Sequence, residues 1–542
     1  MATLINTKLG ENRGKRRVWL EGGCLSKEGI EPGMAYEVIF SDSDVRVKIT
    51  ENGSFRVSKR SMNNRTKPLI ELRFDELADI FAGVETLRVA IRGHELVVTA
   101  HEQECRRIER ERRLKEKLQK GEALSVMSLF TGGAVLDTAV HDGLALSGVS
   151  SYCSVAIETE QKYLDSAYYN SKIFTEDSVL INSPIEQVYV GDKTPYVEIA
   201  VAGIPCTGAS RSGKAKNKLK FAEEHTAAGA MFFNFLQFMK ATNAAVIVVE
   251  NVPDYRNTSS YAVIQSVLNQ LGYVIQDRVL NGNDYGCLER RERMAMVAVS
   301  KGLAGSMDMD NILPLRQKEP QLSDILESIP DNDPRWKTYD YLADKAIKDK
   351  AAGKGFARQL LKGSEGHCGT IGRDYMKARS TEPFIVHPTD PSLSRLLTVK
   401  EHCAVKGVPG YLVKNLSDTV AHQILGQGVC YPVFKAVGKS MGEALLACCD
   451  LQTVTVSAVK HPAPDWIGGD DVEPALAVYQ PETGEVRLVD ERYQLLVLHD
   501  EQEQTNGNGV IMLHDKDNVD DVSYMPISQV IDEYRVIGAV AA

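Results

Sequence analysis

A cysteine, a glutamate and two arginines stand beside successive apolar stretches of the chain, at intervals of about forty residues. Cys206 and Glu250 each follow such a stretch, and Arg291 and Arg293 precede another that begins at Met294. Neighbouring strands of an α/β sheet end at one edge, so these groups are predicted to share a site. A thiolate, a carboxylate and paired guanidinium groups together provide a set that could attack and protonate a planar heterocycle.

Six short motifs occur in a fixed order between residues 124 and 450. They are Ser128-Leu-Phe-Thr-Gly-Gly-Ala-Val-Leu136, Gly203-Ile-Pro-Cys206, Glu250-Asn251-Val252, Arg290-Arg-Glu-Arg293, Arg395-Leu-Leu-Thr-Val-Lys-Glu401 with Gly407-Val-Pro409, and Gly426-Gln-Gly-Val429. Any single motif is a weak signal. The ordered set, with this spacing, resembles the DNA (cytosine-5)-methyltransferase family of bacteria, phages and plasmids.

From residue 124 the sequence alternates apolar strands with helical segments, which predicts a parallel sheet. Strands are expected at residues 124–130, 152–157, 197–202, 246–249 and 294–299, and residues 232–239 are expected to form a buried helix face. The resemblance implies an α/β fold: a Rossmann-like, S-adenosylmethionine-dependent methyltransferase domain with a smaller target-recognition domain. β-rich N-terminal and acidic C-terminal accessory regions are expected around it.

The resemblance also assigns a cofactor site for S-adenosyl-L-methionine. The Gly-rich turn between strand and helix allows close backbone approach, and an acidic residue at the end of the next strand suits ribose hydroxyls. Asn182, in the loop after the third strand, occupies the place of a family residue directed toward adenine. The expected cofactor-binding residues are Phe130, Thr131, Gly132, Gly133, Glu158, Asn182 and Pro205.

For catalysis, the resemblance implies covalent activation of cytosine. The Cys206 thiolate would attack C6 and make C5 nucleophilic toward a methyl group. Glu250 would contact ring N3 and the exocyclic amine, while Arg291 and Arg293 would supply a positive field near the thiolate. Inert burial of the cysteine is the alternative, and Pro205 and the matching Glu250-Asn251 strand end disfavour it.

A basic segment follows the cysteine directly. Because a base inside a duplex is out of reach, it must be flipped out, and a mobile loop is expected to fill the gap. The candidate DNA-binding residues, whose cations suit phosphate contacts without sequence choice, are Arg211, Lys214, Lys216, Lys218 and Lys220. A solvated basic loop with no such role is the alternative.

Four positions depart from the family pattern: Ala134, Thr207, Glu289 and Gln427. A carboxylate at position 289 is expected to lie near DNA and cofactor, where it would weaken phosphate binding or change the accepted donor.

Three functions are therefore weighed. The first is DNA cytosine C5 methylation. The second is the same chemistry on RNA, or transfer from a modified donor. The third is a non-enzymatic DNA-binding regulator on a decayed scaffold, which the intact catalytic residues disfavour.

Charge and composition exclude several other classes of protein. The net charge is -10, but residues 455–542 hold five basic against seventeen acidic residues, so the remaining chain carries +2. The ten cysteines form no Cys-x-x-Cys pair, which disfavours structural zinc and predicts no metal site. No apolar run is long enough to span a membrane and the N-terminus has no apolar signal segment. A cytoplasmic protein acting on double-stranded DNA is expected, with its oligomeric state open.

Six regions are predicted. Residues 1–100 form a β-rich accessory domain, with Asn52-Gly53 as a hairpin turn; the region is either a DNA-binding module or a dimerisation module. Residues 101–120 form a charged, exposed linker helix. The other regions are the catalytic domain at 121–300, a target-recognition region at 301–390, the rest of the catalytic domain at 391–454 and an acidic accessory domain at 455–542.

Overall fold

The computed structural model describes residues 2–62, 65–205, 223, 229–353, 358–449, 451–457 and five short strands beyond residue 473. The chain divides into two compact units, Met1–Arg112 and Arg113–Ala542. They are called the N-terminal unit and the C-terminal unit below. The catalytic cysteine candidate and the basic segment after it lie outside the described residues.

The N-terminal unit is built mainly from strands. Its elements are β1 (Ala2–Lys8), β2 (Gly10–Asn12), β3 (Lys15–Glu21), α1 (Gly23–Lys27), β4 (Ala35–Phe40), β5 (Asp44–Ile49), β6 (Phe55–Arg56), β7 (Ser58–Met62), β8 (Arg65–Leu72), α2 (Glu76–Ile80), β9 (Thr86–Arg92) and β10 (Glu95–Ala100). A six-stranded sheet has the order β1-β9-β10-β5-β4-β6, and a four-stranded sheet has the order β2-β3-β8-β7.

The unit contains an internal repeat. The order strand, helix, strand, strand occurs in β3-α1-β4-β5 and again in β8-α2-β9-β10. Equivalent strands pair antiparallel, β3 with β8 and β5 with β10, so the two copies are related by an approximate two-fold. The prediction of a hairpin at Asn52-Gly53 is wrong, because β6 pairs with β4 and not with β5.

A long helix, α3 (Glu102–Lys120), follows β10. The sequence predicted this helix correctly, but its expected exposure is wrong for the last turns. Leu114 and Leu118 are buried in the core of the C-terminal unit. Glu198, which is 1% exposed, accepts from Arg113 and Lys117 at 2.8 Å each. Its carboxylate also accepts from the Ser125 backbone at 2.9 Å, so buried charge pairing fixes the end of α3 to the sheet.

The C-terminal unit is organised around a seven-stranded sheet. The strands are β11 (Leu124–Leu129), β12 (Ser151–Glu158), β13 (Phe174–Asn182), β14 (Ile199–Gly203), β15 (Val246–Asn251), β16 (Tyr273–Asn281) and β17 (Glu292–Ser300), in the order β13-β12-β11-β14-β15-β17-β16. The first five in this order are parallel, and β17 is antiparallel to both its neighbours. The predicted α/β fold is confirmed, and β13 and β16 are additional strands.

Helices cover both faces of this sheet. They are α4 (Val135–Leu146), α5 (Gln161–Asn170), α6 (Met231–Thr242), α7 (Ser259–Gln270), α9 (Val399–Lys406), α10 (Asp418–Gln427) and α11 (Tyr431–Ala447), with α8 (Asp340–Ala351) outside the sheet layers. One apolar core includes α4 and α11, and the other includes Phe235 and Phe238 of α6. The apolar helix face predicted at residues 232–239 therefore contributes to the core.

Residues 301–398 contain little regular structure. Besides α8 they form a three-stranded sheet of β18 (Gln359–Leu361), β19 (Pro383–Val386) and β20 (Ser394–Arg395). Beyond residue 451 the described strands are β21 (Gln452–Ser457), β22 (Pro474–Gln480), β23 (Glu485–Leu488), β24 (Tyr493–Leu498), β25 (Val510–Asp515) and β26 (Val522–Pro526). β22 with β23 and β24 with β25 pair antiparallel.

Candidate active site

The Gly-rich turn between β11 and α4 has an unusual backbone. Phe130, Gly132 and Ala134 have φ angles of 61°, 56° and 57°, all in the left-handed region that favours glycine. A side chain at Gly133 would lie 2.4 Å from Ile424 of α10, so glycine is required there by packing. A Cβ at Gly132 would meet no described atom within 4 Å. One side of the turn therefore packs against α10, and the other side leaves space in which a ligand could bind.

Glu158 and Asn182 border this turn at the ends of adjacent strands. They are paired in the β12–β13 ladder, so Asn182 ends a strand and does not lie in a loop as the sequence predicted. The Gly132 amide donates to Oε2 of Glu158 at 2.7 Å. The Asn182 side chain donates to the backbone carbonyls of Glu158 and Thr159 at 3.0 and 2.9 Å. The candidate cofactor residues of β11, β12 and β13 thus meet at one edge of the sheet.

The strand that leads to the cysteine is held beside Glu250. In the β14–β15 ladder Gly203 is the direct partner of Glu250. A Cβ at Gly203 would lie 3.8 Å from Oε2 of Glu250 and from the Phe130 carbonyl oxygen, so both the carboxylate and the Gly-rich turn lie near this strand end. The buried Asn251 side chain donates to the Ile204 carbonyl at 3.1 Å, which fixes the backbone just before Pro205.

Glu250 and Arg293 form an ion pair at this edge. Nε of Arg293 lies 2.9 Å from Oε1 of Glu250, and the two side chains are 17% and 15% exposed. The β15–β17 ladder explains the proximity, because Asn251 pairs with Met294. A pair with this exposure keeps one side open to solvent and can contact a substrate.

Arg291 lies elsewhere, although it is only two residues from Arg293. Its guanidinium is 4% exposed and donates to the carbonyls of Ile371 and Gly426 at 3.2 Å each. It also donates to the Gln427 carbonyl at 3.3 Å. The predicted arginine pair is therefore split: Arg293 contacts Glu250, whereas Arg291 joins the strand to the end of α10.

Glu289 is buried, and the expectation that it faces DNA and cofactor is wrong. Its side chain and that of Lys406 are both 0% exposed, and Oε2 lies 2.5 Å from the Lys406 ammonium. Oε1 accepts from the Ile371 amide at 2.8 Å and lies 3.5 Å from Arg291. Desolvation acts to raise the pKa of Glu289, but Lys406 and Arg291 hold it below its usual value. The negative charge of Glu289, which stands in place of the usual family residue, is thus balanced inside the protein by Lys406 and Arg291.

The remaining departures have different structural settings. Ala134 is the N-terminal boundary of α4 and carries a positive φ angle, where a glycine would be less strained. Gln427 ends α10 and donates its side-chain amide to the Gln423 carbonyl at 3.3 Å, while its own carbonyl accepts from Arg291. Thr207 lies outside the described residues.

Sequence reasoning missed two contributors near the site. Lys406 directly precedes Gly407-Val-Pro409, yet nothing in the sequence indicates its buried partner. Asp137, in the first turn of α4, is 2% exposed, and desolvation raises its pKa to about 7 against a hydrogen bond from Ser128. Asn251 was part of a recognised motif, but its bond to Ile204 depends on the strand pairing.

Comparisons with known proteins decide the family. Residues 124–443 match the model of the C-5 cytosine-specific DNA methylase family, which is more than half of the chain. The chain belongs to this family. Among curated proteins it is 30% identical over 274 residues to the Type II methyltransferase M.NlaX of Neisseria lactamica, covering 49% of this chain and 82% of that protein. It is 27% identical over 259 residues to M1.ScrFI of Lactococcus lactis subsp. cremoris, covering 46% and 64%.

The comparisons extend to a further curated protein and to solved structures. The Type II methyltransferase M.HhaI of Haemophilus parahaemolyticus is 25% identical over 276 residues, with 47% of this chain and 79% of that protein covered. The solved Dnmt2 methyltransferase of S. pombe is 17% identical with a TM-score of 0.47, covering 60% of this chain and 99% of that one.

Family membership confirms the expected activity and cofactor. The protein transfers a methyl group from S-adenosylmethionine to C5 of cytosine in DNA. The family description names DNA as the substrate, and it lends no support to an RNA substrate, a modified donor or a non-enzymatic regulator. In the described part of the chain, no helix has the length and apolar character that a membrane span requires.

Proposed function

We propose that Cys206 is the nucleophile of this methyltransferase and that Glu250 and Arg293 act beside it on a flipped-out cytosine in double-stranded DNA. The observation that carries the proposal is the strand register of Gly203 with Glu250, since Cys206 follows that strand end by three residues. Asn251 supports the same assignment because it fixes the Ile204 carbonyl, two residues before the thiol.

The chemistry follows from these groups. The Cys206 thiolate attacks C6 of the ring, and the C5–C6 double bond becomes an electron-rich centre at C5. Glu250 contacts N3 and the exocyclic amine, where charge changes during the attack, and Arg293 holds the Glu250 carboxylate in position. After C5 has been methylated, water accepts the proton on C5, and the electron pair of that C–H bond re-forms the double bond and expels the Cys206 thiolate.

The cofactor site is proposed to consist of the Phe130–Gly133 turn, Glu158, Asn182 and Pro205. S-adenosylmethionine supplies an electrophilic methyl group on a sulfonium when it is bound there. The open side of Gly132 and the adjoining Glu158 carboxylate suit a ligand with ribose hydroxyls. Arg291 is proposed as a positioning residue, since its bonds to Gly426 and Gln427 tie α10 to the strand that presents Arg293.

For DNA binding we propose that Arg211, Lys214, Lys216, Lys218 and Lys220 contact phosphates around the flipped base. The Type II names of the relatives support a role in restriction and modification. The cytoplasm is the proposed compartment, because a thiolate nucleophile requires reducing conditions.

The test uses the Cys206→Ala variant and DNA containing 5-fluorocytosine. Fluorine at C5 cannot leave as a proton would, so the wild-type protein is expected to form a stable covalent adduct after methyl transfer. The variant should form no adduct and transfer no methyl group, while binding DNA normally. Cys105→Ala, at an exposed cysteine of α3, is the matched control and should behave as wild type. Turnover near wild type with Cys206→Ala would exclude the covalent role. Mass analysis of DNA and RNA nucleosides identifies the substrate and the transferred group.

A further inference from the structure

The four-stranded sheet of the N-terminal unit concentrates positive charge. The segments that form it, residues 10–21 and 58–72, hold eight Lys and Arg against three Glu, a net charge of +5. The rest of the unit up to Arg112 holds twelve Lys and Arg against fifteen Asp and Glu, a net charge of -3. The two parts sum to only +2, so the positive charge is segregated within a nearly neutral unit. These two segments are called the basic sheet below. Segregation of this kind is typical of surfaces that bind polyanions.

The strand alternation directs the basic residues away from the core. Val18, Leu20, Ile70 and Leu72 are buried in the core of the unit. Successive side chains of a strand point to opposite faces, so the residues between them face outward. The outward set on β3, β7 and β8 includes Lys15, Arg17, Trp19, Arg60 and Lys67, and the side chains of Lys15 and Arg60 are 48% and 45% exposed.

Trp19 holds two of these cations in fixed positions. The guanidinium of Arg17 lies 4.8 Å from the centroid of the Trp19 ring, and that of Arg60 lies 5.7 Å from it. Arg17 is also 3.7 Å from Glu71, and Arg60 is bonded to Glu21. Both carboxylates are already counted in the net charge of +5, and Asp75, which lies 2.7 Å from Lys15 but outside the two segments, lowers it to +4. The arrangement therefore lowers the entropy cost of binding while the field stays positive.

The dimensions of the basic sheet fit a duplex. β3 runs from Lys15 to Glu21, which is six residue steps, and its ladder with β8 ends where Glu21 pairs with Leu69. At about 3.3 Å per residue this strand is roughly 20 Å long, more than half a turn of B-form DNA. Proteins that bind single strands stack successive bases on several aromatic side chains. The two segments contain a single aromatic residue, Trp19, and it is already covered by Arg17.

We propose that the basic sheet is a second DNA-binding surface, which contacts the phosphate backbone of double-stranded DNA independently of its sequence. This second surface goes beyond the catalytic proposal, because binding to it needs neither a target cytosine nor Cys206. The basic sheet contributes affinity for DNA, and the salt dependence of that affinity should follow the number of phosphates contacted.

The experiment compares full-length proteins on a 30-base-pair dA·dT duplex, which contains no target base. One variant carries Arg13→Glu, Arg60→Glu and Lys67→Glu in the basic sheet. The matched control carries Lys48→Glu, Arg88→Glu and Arg92→Glu, three exposed positions on the six-stranded sheet of the same unit. The change in net charge is identical, so only the location of the charges differs. Fluorescence anisotropy gives the dissociation constant at several salt concentrations.

The basic-sheet variant is expected to bind the duplex at least tenfold more weakly. The slope of log K against log salt should fall in magnitude by about two to three, since each lost phosphate contact contributes about 0.9. The control should lose less than threefold. Equal losses in both variants, or a wild-type constant and slope in the first, would overturn the proposal.

Competition and stability measurements complete the design. If duplex RNA or single-stranded dT displaces the labelled duplex better than duplex DNA does, the proposed partner is wrong. If thermal unfolding shows that the glutamate variant is not folded, Arg13→Gln, Arg60→Gln and Lys67→Gln replace it, with a similar change in slope expected because the same phosphate contacts are lost. Adduct formation with 5-fluorocytosine DNA at saturating concentration should be unchanged, so the outcome is separate from that of the Cys206 test.

Discussion

Two glutamate–cation pairs of the C-terminal unit use the same chemistry in opposite environments. Glu250 and Arg293 lie at the edge of the sheet with 15% and 17% of their side chains exposed. Glu289 and Lys406 are fully buried. A partly exposed pair can exchange part of its contact for a substrate, whereas a buried pair cannot be separated without a large desolvation penalty. The comparison supports our proposals that the first pair acts in catalysis and that the second helps to position Arg291.

The largest expected effect concerns the exposed pair. Glu250→Gln should slow single-turnover methyl transfer by roughly two to four powers of ten, because the carboxylate acts where charge develops on the ring. Binding of DNA and of S-adenosylmethionine should change far less. Rapid-quench measurement of methylated DNA checks the rate, with Glu443→Gln on α11 as a control at an exposed ion pair. An unchanged rate in Glu250→Gln would remove the distinction between the two pairs.

The buried pair should respond in stability. Lys406→Met leaves the Glu289 charge without its closest cation and should reduce the free energy of unfolding by about 3 kcal/mol or more. The double variant Glu289→Gln with Lys406→Met should recover much of that loss, since no unpaired charge stays buried. Urea unfolding measures both. Lys345→Met breaks a partly exposed pair with Asp349 on α8 and should cost less than about 1 kcal/mol. A similarly small cost for Lys406→Met would contradict the argument.

Asp137 and Glu289 show opposite net effects of burial on a carboxyl group. Desolvation raises the pKa of Asp137 to about 7, whereas Lys406 and Arg291 outweigh desolvation and hold the pKa of Glu289 below its usual value. The folded protein keeps a proton on Asp137 that the unfolded chain releases near pH 4. This group therefore reduces stability as pH rises from about 4 to about 7. Asp137→Asn should leave stability near pH 4 little changed and raise it at pH 8 by as much as a few kcal/mol. Urea unfolding at both pH values is the measurement, and equal differences at the two values would show that Asp137 does not titrate in this range.

Much of the fold and part of the site could be predicted because they depend on local patterns. Apolar stretches at strand spacing predicted five of the strands, and the order of motifs predicted the family. The association of Glu250 with the strand before Cys206 followed from the rule that parallel strands end at one edge. The last turns of α3 are buried although the sequence predicts exposure, because charged residues at helical spacing are also typical of a solvated helix. Their burial depends on Glu198, which pairs with Arg113 and Lys117 although it lies 85 and 81 residues further along the chain.

The sequence alone determined which chemical groups are present and in which order, and hence the family and the reaction. Tertiary structure decided which of two similar groups lies beside Glu250 at the partly exposed edge of the sheet. Two arginines at positions i and i+2 share a face only within a regular strand, and Arg291 precedes β17, where its amide donates to Glu289 and its carbonyl accepts from Gly282. That irregular backbone turns Arg291 toward the carbonyls of α10. The burial of Glu289 was decided in the same way, because its partner Lys406 lies 117 residues further along the chain and only folding brings the two charges together.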